Sequence, residues 1–201
     1  MKNFLITQSS EYDCGPTTLI NALRFLFDRE NIPPALVRTV WLHTNDTYNE
    51  QGQKGCRGTS KACIRFLGEF FNDYGKHCGF PIRTAFVEEK GAAITKDSPT
   101  YRCLATGGVA LMRCWLENCG HYVLLTGLTE RGVLLFDPYE NTIPYTWEKD
   151  MTRVIADEPR RWNREVAPER LNETVQHDYA MGEVSERENL LLWNTETELK
   201  A

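Results

Sequence analysis

Four positions carry groups that together suit acyl-transfer chemistry: Gln8, Cys14, His121 and Asp137. Cys14 is followed by Gly15-Pro16 and then by an apolar run of helical period, so the spacing predicts a thiol at a helix N-terminus. A thiol attacks as its thiolate, which the helix dipole favours and an imidazolium partner favours further. Gln8 brings a side-chain amide close to that thiol. Its N–H and the Cys14 backbone N–H are two natural donors for the oxygen that becomes negative during acyl transfer, each worth roughly 3 kcal/mol. His121 opens the apolar run His121-Tyr122-Val123-Leu124-Leu125, which places its ring at a sheet rim as a general base toward Cys14. Asp137 ends the run Val133-Leu134-Leu135-Phe136 and precedes Pro138. A carboxylate there would hold the imidazole tautomer and stabilise its charged form. In a hairpin turning near Glu130, the two residues come opposite or diagonal to each other, and they share a face only if the register has the right parity. The sequence does not fix that register.

Taken singly, each residue has a plainer reading: a small buried cysteine, a surface glutamine, a strand-end histidine, an Asp-Pro turn. Their combination points to chemistry. Cys119 is a rival nucleophile, since it would share a strand face with His121, but it lacks a helix start and a partnering glutamine. His43 and His77 lie in polar stretches and His177 in the C-terminal tail. Cys114, Cys119 and His121 are close enough to suggest half a zinc site, but their spacing matches no common structural one. No metal and no organic cofactor is expected.

These groups need a scaffold, and the periodicity supplies one. Residues 3–7 read as extended. Residues 14–28 read as a helix that is apolar nearly all round and therefore central, stopped by Asn31-Ile32-Pro33-Pro34. Ala35 to Leu42 reads as a short helix and residues 43–58 as a loop. Gly58-Thr59-Ser60 precedes another helical run through Phe70-Phe71, with Thr59 or Ser60 as its N-cap. The period then changes: 82–87, 108–115, 121–127 and 132–136 read as strands, with 144–146 as an edge strand. Helices followed by an antiparallel sheet indicate an α+β fold. One domain over 1–157 is expected, with a C-terminal extension over 158–201. In that extension Ser185-Glu186-Arg187-Glu188, a capping-box pattern before Leu190-Leu191-Leu192-Trp193, predicts a short helix over 185–193.

Composition sets outer bounds. The 201 residues are 41% apolar and 25% charged, ordinary for a globular chain, and the net charge of −5 gives no basic footprint for nucleic acid. No apolar run reaches the length of a membrane span. The start, Met1 to Gln8, has one positive charge and too short an apolar stretch for a signal peptide, so a cytoplasmic protein is expected. Seven cysteines at irregular spacing argue for thiols rather than a disulfide framework.

Four motifs together resemble the bacteriocin-processing, double-glycine-leader peptidases and their stand-alone relatives. They are Gln8-x5-Cys14-Gly15-Pro16, Gly58-Thr59-Ser60, Gly120-His121-Tyr122-Val123 and Phe136-Asp137-Pro138, and the likeness spans roughly residues 5–150. The resemblance implies a papain-like fold, with Cys14 as nucleophile, His121 as base, Asp137 as its orienting partner and Gln8 in the oxyanion hole. It implies a peptide or protein substrate. The chain departs from the best-known members in having no transporter part, and in extra residues around 43–58 and 88–103, expected near or over the cleft. An acyltransferase, a glutamine deamidase and a non-catalytic peptide-binding module are alternatives on the same scaffold.

Overall fold

The computed structural model describes residues 3–155 and 161–198. The first helix, α1 (Cys14–Leu26), is buried along its first ten residues because apolar side chains point in nearly every direction. It ends two residues earlier than the periodicity suggests, since Phe27 is already extended. In α2 (Pro34–His43), Pro34 begins the helix rather than only ending the previous one, its missing N–H being one the first turn leaves unused. Ser60 is the N-cap of α3 (Lys61–Cys78), its hydroxyl accepting from the Cys63 N–H at 3.1 Å. Gly79, at φ 68°, ends that helix in the left-handed conformation.

Among the described residues seven strands follow: β1 (Ile82–Glu88), β2 (Val109–Leu116), β3 (Cys119–Leu128), β4 (Val133–Phe136), β5 (Thr152–Val154), β6 (Arg164–Val166) and β7 (Glu188–Asn194). They form one sheet in the order β1-β7-β2-β3-β4-β6-β5, and every neighbouring pair is antiparallel. The α+β class expected from the sequence is therefore what the chain adopts, with α1, α2 and α3 on one face. There Leu19, Leu23, Ile64 and Phe71 pack with Tyr122, Leu124 and Phe136. The opposite face is covered too, by α4 (Pro99–Ala105), α6 (Pro168–Leu171) and the segment around Tyr179 and Met181, packed on Val123, Leu125 and Leu135.

Four expectations are corrected. Residues 185–193 are not a helix: only Val184–Glu186 make a 3-10 turn, and Glu188–Asn194 is a strand inserted between β1 and β2. All seven of its residues are buried, Leu190 and Leu192 in one core and Leu191 and Trp193 in the other. A continuous apolar run suits a strand covered on both faces, and that environment outweighs the capping pattern. The segment 158–201 is thus no appendage, since it supplies β6 and β7; the boundary placed at 157 lies outside the described residues. Residues 144–146 form no strand, because the Thr146 N–H is taken by the Asp150 carboxylate at the start of α5 (Trp147–Asp150), and the edge strand is β5 instead. Residues 88–103 are not over the cleft. Ala92, Ile94 and Cys103 belong to the core on the far face of the sheet, and α4 is capped there by Ser98. Among the described residues, no helix is long and apolar enough to cross a membrane.

Candidate active site

Cys14 is the first residue of α1, and two loops hold that helix end in place. Asn45 donates to the Asp13 carboxylate at 2.9 Å, and Asp46 accepts from the Ser60 N–H at 2.8 Å. Gly15 is required by the close approach of the second loop: a Cβ there would meet Thr59 Oγ1 at 2.7 Å. Farther along α1, the Thr18 hydroxyl donates to the Tyr122 carbonyl at 3.1 Å, tying the helix to the strand that carries His121.

His121 and Asp137 meet because of a β-bulge. Near the hairpin tip Leu128 pairs with Val133 and Gly127 with Leu134, but beyond Thr126 the pairing shifts so that Leu125 faces Leu135 and Leu124 faces Phe136. Continued by one residue, the shifted register sets Asp137 opposite Val123, on the same face as His121 and diagonal to it. The unshifted register would have turned the carboxylate to the other face. His121 Nε2 lies 2.7 Å from Asp137 Oδ1, and Cys14 is near enough to the ring to favour its charged form. With Nε2 committed to the carboxylate, Nδ1 is the nitrogen left for the sulfur.

Both members of the pair are buried. Burial alone works against an imidazolium, yet the Asp137 charge and hydrogen bond, with the contact to Cys14, push His121 up to about 10. For Asp137, burial works against the anion, and the His121 charge outweighs it. Hydrogen bonds from His121, the Tyr139 N–H and the Tyr179 O–H add to that effect and hold the carboxyl below its usual range. Gln8 is moored to the same corner, its N–H donating to the Pro138 carbonyl at 2.9 Å. Its side-chain amide donates to Ser10 O at 2.8 Å, and its Oε1 is buried with no hydrogen-bond partner among the described residues.

Two cavities meet at Cys14. One, of ≈ 470 Å³, is lined by Gln8, Tyr12, Cys119, His121 and Tyr139. The other, of ≈ 500 Å³, is lined by Arg57, Lys61, Arg113, Tyr122 and Glu188. The four sequence-predicted residues are therefore distributed in two sets: Gln8, Cys14 and His121 share a cavity wall, and Asp137 sits behind the His121 ring. Arg57 and Gly58, from the region expected near the cleft, line both cavities. Cys119 is exposed on the wall beside His121, at a two-residue turn in which Glu117 and Asn118 both have positive φ. Cys114 is buried opposite His121 in the β2–β3 pairing. Among the described residues, no three His, Cys, Asp or Glu side chains are placed to hold a metal ion.

Sequence reasoning missed the groups behind Asp137. Asn163 clamps the Asp137 backbone from both sides, Oδ1 accepting from its N–H and Nδ2 donating to its carbonyl, each at 2.8 Å. The Tyr179 hydroxyl donates to Asp137 Oδ2 at 2.8 Å. Glu188, which accepts from the Tyr122 hydroxyl on the cavity floor, was also missed. All three come from the segment after residue 157, where the composition shift and the capping-box pattern at 185–188 gave no pointer to the site.

No protein-family model matches the sequence, and no curated protein matches it. Solved peptidase domains resemble the chain along nearly its whole length. The peptidase domain of Streptococcus mutans ComA is 14% identical, with 93% of this chain and 97% of that chain covered and a TM-score of 0.43. A Streptococcus ComA peptidase domain, from a bi-functional ABC transporter involved in quorum sensing, is 12% identical, with 96% and 97% covered and a TM-score of 0.46. A double glycine motif protease from an AMS/PCAT transporter, solved in complex with the leader peptide, is 12% identical, with 96% and 90% covered and a TM-score of 0.43.

Proposed function

We propose that this protein is a papain-like cysteine peptidase that hydrolyses a peptide bond in a peptide or protein substrate. The observation that carries the reading is the His121 ring, fixed through Nε2 to a buried carboxylate and sharing a cavity wall with a thiol at a helix N-terminus. The helix dipole and the imidazolium both stabilise negative charge on that sulfur. The Cys14 sulfur attacks the carbonyl carbon and the carbonyl π electrons move onto oxygen. The Cys14 N–H and one Gln8 amide proton donate to that oxygen; a primary amide has two protons, and Ser10 takes only one. As the tetrahedral species collapses, the C–N bond breaks and His121 gives its proton to the departing amine. His121 then takes a proton from water, which attacks the thioester, and the sulfur leaves as the anion. The two cavities flanking Cys14 would receive the chain on either side of the cleaved bond.

Reaction with iodoacetamide, read by peptide mass mapping, tests the nucleophile. Cys14 should label well ahead of exposed Cys78 despite being buried. Cys14→Ala should abolish cleavage of a mixed peptide library, a loss of at least about 10⁴-fold. Equal labelling of Cys14 and Cys78, with cleavage unchanged in Cys14→Ala, would refute the peptidase reading. Ligated or deamidated products in place of cleaved ones would move the activity to acyl transfer or deamidation.

A further inference from the structure

The Asp137 carboxylate is fully buried and takes three donors. His121 Nε2 and the Tyr139 N–H share Oδ1, at 2.7 and 2.9 Å, and Tyr179 has Oδ2 to itself. The Tyr179 hydroxyl is oriented from its other side, where Arg164 Nε lies 3.1 Å from the same oxygen. A guanidinium is only a donor, so the phenol oxygen accepts from Arg164 and its own proton is directed to Asp137. Arg164 is buried as well, with further hydrogen bonds to the Asn163 carbonyl and the Asn141 side chain.

The backbone around Tyr179 is held as tightly. Its φ is 67°, a conformation unfavourable for a side chain of this size. The conformation is imposed by main-chain pairing with β2: the Tyr179 N–H donates to the Trp115 carbonyl at 2.7 Å, and the Trp115 N–H donates to the Ala180 carbonyl at 2.8 Å. The ring packs against Tyr145 at 5.4 Å. A residue kept in a costly conformation, wholly buried, with its single polar atom on a carboxylate that orients a base, is placed for more than packing.

We propose that Tyr179 is a positioning residue of the Cys14–His121–Asp137 site: its hydroxyl, aimed by Arg164, keeps Asp137 ionised and turned toward His121. This rests on the peptidase reading above and deepens it, since it makes the C-terminal segment a working part of the site. The charged and titratable groups that face Asp137 and Tyr179 are His121 and Cys114 on the sheet, Tyr139 after β4, and Arg164 and Tyr145 from the second half of the chain, with Cys14 beyond His121 and Asp178 beyond Tyr145. Without the Tyr179 donor the buried carboxyl takes up a proton more readily, His121 loses its counter-charge at a higher pH, and the Cys14 anion loses its partner with it.

The test follows the rate of Cys14 alkylation by iodoacetamide across pH, with exposed Cys78 in the same molecule as reference. In Tyr179→Phe the acid limb of the Cys14 profile should move to higher pH by about one unit, the worth of one hydrogen bond to a charged group. The Cys78 profile should stay in place. Site-specific 3-fluorotyrosine at position 179, a stronger donor of nearly the same shape, should move the limb the other way, and it decides the matter if Tyr179→Phe fails to fold by circular dichroism. A limb that stays put in both variants overturns the role of Tyr179 while leaving the peptidase reading intact. A wild-type Cys14 that alkylates no faster than Cys78 overturns both.

Discussion

The first helix and the last described strand contribute to the same site in opposite ways. α1 carries the proposed nucleophile, Cys14, at its N-terminus, and its register of apolar residues announces itself in the sequence. β7 carries none of the proposed reacting atoms, yet it joins the edge strand β1 to the rest of the sheet, and the segment that leads to it holds Asp137 through Asn163 and Tyr179. Chemistry and the support for chemistry are thus separated along the chain and joined only in space. A tail that would be trimmed on compositional grounds is as internal as the helix that would be kept.

Core substitutions weigh the two regions against each other most directly. Leu191→Ala in β7 and Leu23→Ala in α1 both remove a buried side chain and should each cost about 2–5 kcal/mol in urea unfolding. A cost below about 1 kcal/mol for Leu191→Ala would make the tail peripheral after all. On the N-terminal side, Gln8→Ala should lower peptide cleavage by roughly 10²–10³, about 3 kcal/mol, while leaving the unfolding midpoint within error. A loss of stability with unchanged cleavage would place Gln8 in the scaffold instead of the oxyanion hole. The smallest effect lies where the two regions meet, at the His121–Asp137 pair. The folded-state value for His121 is raised from 6.5 to about 10, so its stabilisation is fully present below the lower value and is lost as pH rises through the upper one. The stability difference between wild type and His121→Gln should therefore shrink across that window, with a slope of at most about 1.4 kcal/mol per pH unit. A difference independent of pH would mean that the imidazole is neutral in the folded protein.

The helical half was legible because its signals are local. Ser60 caps α3 through a hydroxyl three residues from its donor, and Pro34 starts α2 by its own ring. Gln8, Cys14, His121 and Asp137 could be singled out by residue type and element ends, and the pairing of Asp137 with His121 could be posed but not decided. Deciding it required the bulge at Thr126, and a one-residue shift in pairing leaves little trace in composition. The tail was misread for a different reason. Three leucines and a tryptophan in a row serve a buried strand or one turn of helix equally well, and only the vacant place between β1 and β2 selects the strand. Tyr179 gave no signal because a phenol donating to a carboxylate 42 positions away is a purely tertiary event.

The sheet order also bears on how the protein is made. β1 has one neighbour, β7, and β7 is also the neighbour of β2 on that side. While the chain is being synthesised, the edges of β1 and β2 that β7 will pair stay open until residues 188–194 have left the ribosome, and such long-range closure is slow and exposes aggregation-prone surface. Stalled or clipped chains ending before that strand would lack the strand that joins β1 to β2. Asn163 and Tyr179, which hold Asp137, likewise arrive only with this last part of the chain.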